Sequence, residues 1–269
     1  MIGDNGEKPD TGRFKIAVPR EHGLIVVWIN TMIISIVAIY RFSPFAITTF
    51  LLMIATFFLY DPVLSALRIW KTHRDPLKFL SHNHLYVLII GPAILAWLIF
   101  TASIEVLPLV SLVLFFFFVG IYMLLFRYGE RKLYTRIFSI LTLTSMFLII
   151  STSFNHAITI RQLEIFMILS IAEALLGSGP VEIVNSRITK VKFQSLFVRR
   201  ILPVYAASLI LLTPVILTPF AVAFYAFLAI LTAAALSNLL IRDLPIKQIG
   251  YVAAGFNFVV LVSLLIIFR

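Results

Sequence analysis

Nine long apolar segments constrain the fold of this 269-residue chain more than any other feature. A helix needs about 20 apolar residues to cross the ~30 Å hydrocarbon core of a bilayer, and each segment approaches that length. The predicted spans are residues 23–42, 44–61, 84–103, 106–126, 136–154, 161–180, 201–217, 219–240 and 249–268. The sequence therefore predicts an all-α integral membrane protein with nine transmembrane helices, a polar tail over residues 1–20 and a single polytopic membrane domain over residues 21–269.

The amino-acid composition excludes several classes of protein. Hydrophobic residues make up 61 % of the chain and charged residues only 13 %, which leaves too little polar surface for a soluble globular domain. The chain has no cysteine, so disulfides, thiolate metal sites and cysteine nucleophiles are excluded. The net charge of +10 favours basic loops beside a membrane over a nucleic-acid-binding surface.

The 22 Lys and Arg residues are distributed in a way that predicts the orientation of the chain. All except Arg41, Arg161 and Arg269 lie before span one or in the loops after spans two, four, six and eight. Lys and Arg accumulate on the cytoplasmic side of membrane proteins. We therefore expect a cytoplasmic N-terminus, an external C-terminus and a location in the plasma membrane of a bacterium or archaeon.

An acid, a hydroxyl and a base follow one another at the cytoplasmic end of span two. In a helix, Asp61, Ser65 and Arg68 stand at positions i, i+4 and i+7 and share one stripe. This stripe predicts either a polar site, with Asp61 catalytic and Arg68 binding substrate, or an interfacial pair that anchors the helix end. Pro62 is expected to begin a new turn or to kink the helix there.

Span six holds the most unusual polar residues. Glu173 lies inside an apolar run and is followed by Gly177-Ser178-Gly179-Pro180, and then by Glu182, Asn185 and Arg187. The Gly-Ser-Gly-Pro run is expected to interrupt the helix, and irregular backbone at membrane depth persists beside a wet cavity. We therefore predict a polar cavity open to the cytoplasm, with Glu173 and Glu182 as catalytic acids and Asn185 and Arg187 binding substrate.

Glu173 also has a purely structural interpretation. A protonated acid in a membrane helix can be hydrogen-bonded to a polar side chain of a neighbouring helix. The candidate partners in the apolar spans are Asn30, Asn238 and Asn257.

A third polar cluster precedes span one, where the chain reads Pro19-Arg20-Glu21-His22-Gly23. Glu21 and His22 are candidate substrate-binding residues, and the alternative is a turn that anchors the chain at the membrane interface. His82 and His84 should lie at the same level and could join His22 in a metal or haem site. The H-x-H spacing is unspecific, so we predict no metal site and disfavour haem.

Three segments resemble the YwiC-like family of bacterial and archaeal membrane proteins, whose biochemical function is not established. They are Pro19-Arg20-Glu21-His22-Gly23, the segment from Gly179-Pro180-Val181-Glu182 to Asn185-Ser186-Arg187-Ile188, and Lys247-Gln248-Ile249-Gly250 before the last span. The resemblance covers the chain thinly, and the motif around His22 is its most specific part.

The predicted architecture is also similar to the UbiA superfamily of intramembrane prenyltransferases, which have nine helices and functional acids at the cytoplasmic ends of helices two and six. Asp61 and the Glu182 region stand at matching places. This resemblance implies an isoprenoid-like substrate whose diphosphate is held through Mg²⁺. The family uses motifs with several Asp residues, whereas this chain has Asp61 followed by Ser65 and Arg68, and so lacks the acids to hold two Mg²⁺ ions conventionally.

Three functions follow as hypotheses. The first is a cytoplasm-facing cavity that binds or transfers an isoprenoid or lipid group, at most as a UbiA-like transferase with degenerate Asp motifs. The second is an accessory subunit or assembly factor of a larger membrane complex, in which helices pack against other subunits. The third is a transporter, in which the interrupted span six near Glu173 is the substrate or proton site and Gly91-Pro92 in span three is the candidate for a second interruption. Membrane lipids are the expected partners in each case.

Overall fold

The structure is a computed structural model that describes residues 22–37, 44–71, 85–104, 106–129, 132–155, 158–192, 195, 197–212, 225, 228, 232 and 243–268. Nearly all of these residues are helical, and none of them belongs to a β-strand. The predicted tail lies outside the described residues. Predicted span eight lies outside them too, apart from residues 225, 228 and 232, which are helical.

The described helices follow the predicted spans in order. They are α1 (His22–Val37), α2 (Pro44–Lys71), α3 (Leu85–Ile104), α4 (Val106–Tyr128), α5 (Leu133–Asn155), α6 (Ile160–Thr189), α7 (Leu202–Leu212), which a π-helical turn (Phe197–Ile201) precedes, and α8 (Ile246–Phe268). α2 and α6 continue well beyond the predicted ends at residues 61 and 180. Hydropathy marks only the apolar part of a helix, so it misses a polar continuation.

Four helices in the described ranges are long and apolar enough to cross a membrane. The qualifying stretches are Val110–Tyr128 in α4, Leu133–Phe154 in α5, Ile160–Arg187 in α6 and Gln248–Ile266 in α8. Shorter apolar stretches occur in α1 (Ile25–Val37) and α2 (Ile47–Thr56). An all-helical chain with several spanning candidates is thus confirmed, while nine spans and the orientation stay predictions.

α5 and α6 form the centre of the bundle. α5 packs against α1, α2, α4 and α6, and α6 packs against α1, α7 and α8. Phe147 and Ile150 of α5 and Leu169 of α6 are fully buried in the two hydrophobic clusters that these helices share with their neighbours. α4 and α8 leave most of their apolar surface exposed, as expected of helices that face lipid.

Contacts between side chains show how α5 runs relative to the helices beside it, and those with α6 show an antiparallel pair. Thr144 of α5 and Ser170 of α6 share a hydrogen bond of 2.7 Å, and Ile140 of α5 lies beside Gly177 of α6. Thr56 of α2 contacts the sulfur of Met146 at 3.8 Å. Thr135, near the start of α5, donates to the carbonyl oxygen of Gly129 at 2.8 Å, and Thr152, near its end, contacts Ser111 at 3.3 Å. Leu67 of α2 borders the same cavity as Ser139 of α5. α2, α4 and α6 therefore end at the end of the bundle at which α5 begins.

We call this end of the bundle the basic end, because described basic residues gather there. The described side chains among them are Arg68, Arg127, Lys132, Arg136, Arg187, Lys190, Lys192, Arg199 and Arg200. Arg187 donates a hydrogen bond to the carbonyl oxygen of Leu244, which places the start of α8 at the same end. Arg161, at the start of α6, lies at the opposite end. In the described helices, the basic residues that were predicted to share one side of the membrane therefore lie at one end of the bundle, and Arg161 lies at the other end.

The predicted interruption of span six is wrong. α6 continues without a break from Ile160 to Thr189 and includes Pro180. Proline removes one backbone donor, but a helix packed on its neighbours tolerates this when side chains and local adjustments satisfy the freed groups. Here the residues around Pro180 are packed against the rest of the bundle, since Leu176, Ser178 and Glu182 are all buried.

Two further prolines lie inside continuous helices. α2 passes through Pro62, and α3 passes through Pro92 beside Gly91. Pro62 therefore does not begin a separate helix. The pair of interrupted helices on which the transporter hypothesis depended does not occur in α3 and α6. Tertiary packing overrides the local breaking tendency of these residues.

Gly177 offers a test of this continuity. A Cβ at this position would lie 3.7 Å from the Ile140 side chain, an ordinary contact distance. Since glycine costs about 1 kcal/mol relative to alanine inside a helix, Gly177→Ala is expected to stabilise the protein by up to about 1 kcal/mol in detergent unfolding experiments. Gly120→Ala in α4 is the control, because a Cβ there meets no neighbour. A loss of stability in Gly177→Ala alone would show that α6 needs flexibility there.

Candidate functional site

Glu173 is held by a side chain of α1. The residue is 2 % exposed, and Asn30, also buried, donates its amide to Glu173 Oε1 at 2.6 Å. Of the three predicted partners, Asn30 is therefore confirmed. Asn257 of α8 instead donates to the carbonyl oxygen of Ala253 in its own helix at 3.0 Å, and Asn238 lies outside the described residues. The hydrogen bond ties α1 to α6 at the centre of the bundle.

Glu182 is the second buried acid of α6, and its partner is a basic residue that the sequence analysis did not select. The carboxylate is 0 % exposed, and Arg200 of the π-helical turn donates to its Oε2 at 3.0 Å. Asn185 lies one turn further along α6, with its amide 3.5 Å from Glu182 Oε1. Glu182 and Asn185 thus lie together, while their predicted catalytic and substrate-binding roles stay predictions. The ion pair joins α6 to the segment that leads into α7.

Arg187 takes part in the same junction. It donates a hydrogen bond to the carbonyl oxygen of Leu244, just before α8 begins. Beside it, Ile183, Ile201 and Ile249 form a small buried cluster between α6, the π-helical turn and α8. Glu182, Asn185 and Arg187 therefore lie at a junction that holds three segments together at the basic end, whereas Glu173 lies at the centre of the bundle.

The stripe on α2 has the predicted helical spacing, because α2 is continuous through Asp61, Ser65 and Arg68. Ser65 is half-buried and Arg68 is exposed at the basic end, while the side chain of Asp61 is not described. The predicted roles of Asp61 and Arg68 stay predictions.

The remaining candidates fall mostly outside the described residues. Glu21, His82 and His84 lie outside them, and the side chain of His22, the first residue of α1, is not described. Within the described ranges, no group of three His, Cys, Asp or Glu residues could hold a metal ion. The predictions for the cluster around His22 therefore stay predictions.

A cavity of about 160 Å³ lies between α2, α4 and α5. Its lining includes Leu59, Leu64 and Leu67 of α2, Phe115 and Val119 of α4, and Met146 of α5. The lining residues of α2 interleave along the helix with Ser65 and Arg68. The cavity therefore lies in the half of the bundle nearer the basic end.

The cavity is mostly apolar although four residues with hydroxyl groups line it, namely Thr56, Tyr122, Ser139 and Thr142. Thr56 donates to the carbonyl oxygen of Met53 at 2.6 Å, Ser139 to that of Arg136 at 2.8 Å, and Thr142 to that of Phe138 at 2.8 Å. The Thr and Ser hydroxyl protons are thus used within their own helices. The surface that faces the cavity is therefore mostly hydrocarbon, which suits the hydrocarbon chain of a ligand rather than a polar group.

Sequence reasoning missed this cavity. Its lining consists of the Leu, Val, Phe and Met residues that any membrane helix contains, so no motif or charge marks it. Polar and charged residues gave the only local signals, and they led to α6 instead. The cavity depends on how α2, α4 and α5 are spaced, which no single segment of sequence contains.

No protein-family model, curated protein sequence or solved structure matches this chain. The YwiC-like and UbiA-like resemblances therefore stay predictions.

Proposed function

We propose that the protein is a lipid-binding membrane protein that takes part of an isoprenoid or acyl chain into the cavity between α2, α4 and α5. The observation that carries the proposal is the apolar cavity itself, which adjoins the half of α2 that contains Arg68. An apolar space inside a membrane bundle is accessible to lipid chains without desolvation of polar groups. The proposal agrees with the predicted UbiA-like architecture and the isoprenoid-like substrate that it implies.

The size of the cavity limits what it can hold. An apolar cavity of about 150 Å³ accommodates a group the size of benzene, and the observed volume is about 160 Å³. Whole ligand sites commonly occupy about 300–1,000 Å³. We therefore propose that the cavity receives a branch or a short stretch of a chain, while the remainder extends along the outer surface of the bundle.

The orientation of the ligand follows from the charges around it. Arg68 follows Leu67 directly on α2, so an anionic headgroup on a chain that enters this cavity would come near the basic end. By the predicted orientation, that end is cytoplasmic. Glu173 and Glu182 are outside this proposed site, because Asn30 and Arg200 hold them within the α6 contacts.

The test compares two valines of α4. Val119 lines the cavity and is half-buried, whereas Val113, on the same helix, is exposed and does not line it. Val119→Trp fills the cavity and is expected to reduce the lipid retained through mild-detergent purification by at least about tenfold, which corresponds to ~1.4 kcal/mol of binding free energy. Mass spectrometry of the extracted lipids measures the retained amount.

Val113→Trp is the matched control and should retain as much lipid as the unsubstituted protein. Equal retention by both variants would contradict the proposed site, and so would the absence of any stoichiometric lipid from the unsubstituted protein. Reproducible partner subunits in the same purification would favour the accessory-subunit hypothesis instead.

A further inference from the structure

The segment that follows α6 forms a basic surface at the end of the bundle. Lys190 ends the helix in a left-handed conformation, with φ 55° and ψ 22°, and turns the chain away from the axis of α6. Lys190, Lys192 and Arg199 are exposed, and within the described residues none of the three forms an ion pair or a side-chain hydrogen bond. We define these three residues as the basic surface.

No opposing acid accompanies this surface along the chain. The sequence contains no Asp or Glu between Glu182 and Asp243. Glu182 is buried, and Arg200, which is 45 % exposed, is its ion-pair partner. The field of the three exposed cations is therefore not neutralised by acids from their own segment.

Apolar side chains are interleaved with these cations. Val191 lies between Lys190 and Lys192, Val198 precedes Arg199, and all of these residues are exposed. α6 contains a stretch long enough to span a membrane, and that stretch ends at Arg187, just before the basic surface. Cations next to exposed apolar residues at such a position are typical of a segment that lies at the headgroup level of a membrane.

We infer that the basic surface binds the headgroups of anionic phospholipids, with Val191 and Val198 in contact with the acyl chains. Lys and Arg near a membrane surface each contribute attraction to anionic lipid headgroups. A soluble acidic protein would satisfy the charges but would leave the two valines exposed. The surface is distinct from the cavity, so this inference does not depend on the proposed function.

The experiment measures how the purified full-length chain in neutral detergent binds phosphatidylglycerol and phosphatidylcholine with identical acyl chains, by native mass spectrometry. The unsubstituted protein is expected to prefer phosphatidylglycerol. The variant Lys190→Gln/Lys192→Gln/Arg199→Gln should bind it about fivefold more weakly for each charge removed, or roughly 100-fold in total, with unchanged binding of phosphatidylcholine.

Two controls make the result specific. Lys190→Arg/Lys192→Arg/Arg199→Lys keeps the charges and should bind phosphatidylglycerol as the unsubstituted protein does. Val119→Trp alters a cavity that would take the acyl chain of either lipid, so it should leave the preference for phosphatidylglycerol over phosphatidylcholine unchanged. This preference separates failure of the headgroup surface from failure of the cavity.

Three results would overturn the inference. They are equal binding of the two lipids by the unsubstituted protein, unchanged phosphatidylglycerol binding after the three glutamine substitutions, and displacement of the lipid by a soluble oligoglutamate peptide at an equal concentration of charge.

Discussion

Arg200→Met is expected to destabilise the protein by about 3–5 kcal/mol, because it leaves the fully buried carboxylate of Glu182 without its charged partner. Glu182→Gln should cost less, since the half-exposed guanidinium of Arg200 can turn toward water. Unfolding by denaturant in a fixed detergent micelle measures both free energies. Substitution of Arg200, the more exposed partner, should thus cost more stability than substitution of Glu182. The reason is that it leaves a charge behind in a fully buried place.

Arg199→Met is the matched control for this experiment. Arg199 is adjacent to Arg200 in the same π-helical turn and is exposed, but it is not the partner of Glu182. Its substitution should change the unfolding free energy by no more than about 0.5 kcal/mol. The double variant Glu182→Gln/Arg200→Met should recover part of the loss seen in Arg200→Met. Equal effects of Arg199→Met and Arg200→Met would contradict a specific role for the ion pair.

Asn30→Ala is expected to destabilise the protein by about 1–3 kcal/mol, because Glu173 would lose its hydrogen-bond donor in a buried environment. Asn257→Ala removes the same kind of side chain from another helix. The amide of Asn257 is bonded only within α8, and its Oδ1 atom is buried without a hydrogen-bond partner in the described structure. Its substitution should therefore cost much less in the same unfolding assay.

A double variant separates the hydrogen bond from packing. Replacing both partners by apolar side chains removes the buried polar groups together, and such replacements can be nearly neutral. Asn30→Leu/Glu173→Met should therefore be more stable than Asn30→Leu alone. If the double variant is less stable than either single variant, the contribution of the pair is mainly packing, and the interpretation of Asn30 as the essential donor for Glu173 is wrong.

These two contacts change how the acids of α6 are interpreted. The sequence marks Glu173 and Glu182 as unusual because carboxylates are costly in apolar segments, and it allows either a functional or a structural role. Each has a partner on another segment of the chain, Asn30 and Arg200 respectively. The losses of stability expected for Asn30→Ala and Arg200→Met follow from the structural role of Glu173 and Glu182 in these contacts.

The amino-acid sequence determined the helical fold class and the order of the helices. The backbone N–H and C=O groups of an apolar run of membrane length have no water to bind, so they form hydrogen bonds within their own helix. It also predicted which of the described basic residues share an end of the bundle, since Lys and Arg accumulate in alternate connections. Asn30 could be proposed as a partner of Glu173 because polar side chains in apolar helices are few.

Tertiary structure decided the features that depend on neighbouring helices. Pro62, Pro92 and Pro180 look like helix breaks in isolation, yet packing keeps α2, α3 and α6 continuous. The pairing of Glu182 with Arg200 needs the π-helical turn to approach α6, and the apolar cavity needs the spacing of α2, α4 and α5. Distances between helices are set by the fit of side chains from several segments at once, so hydropathy and local motifs do not contain them.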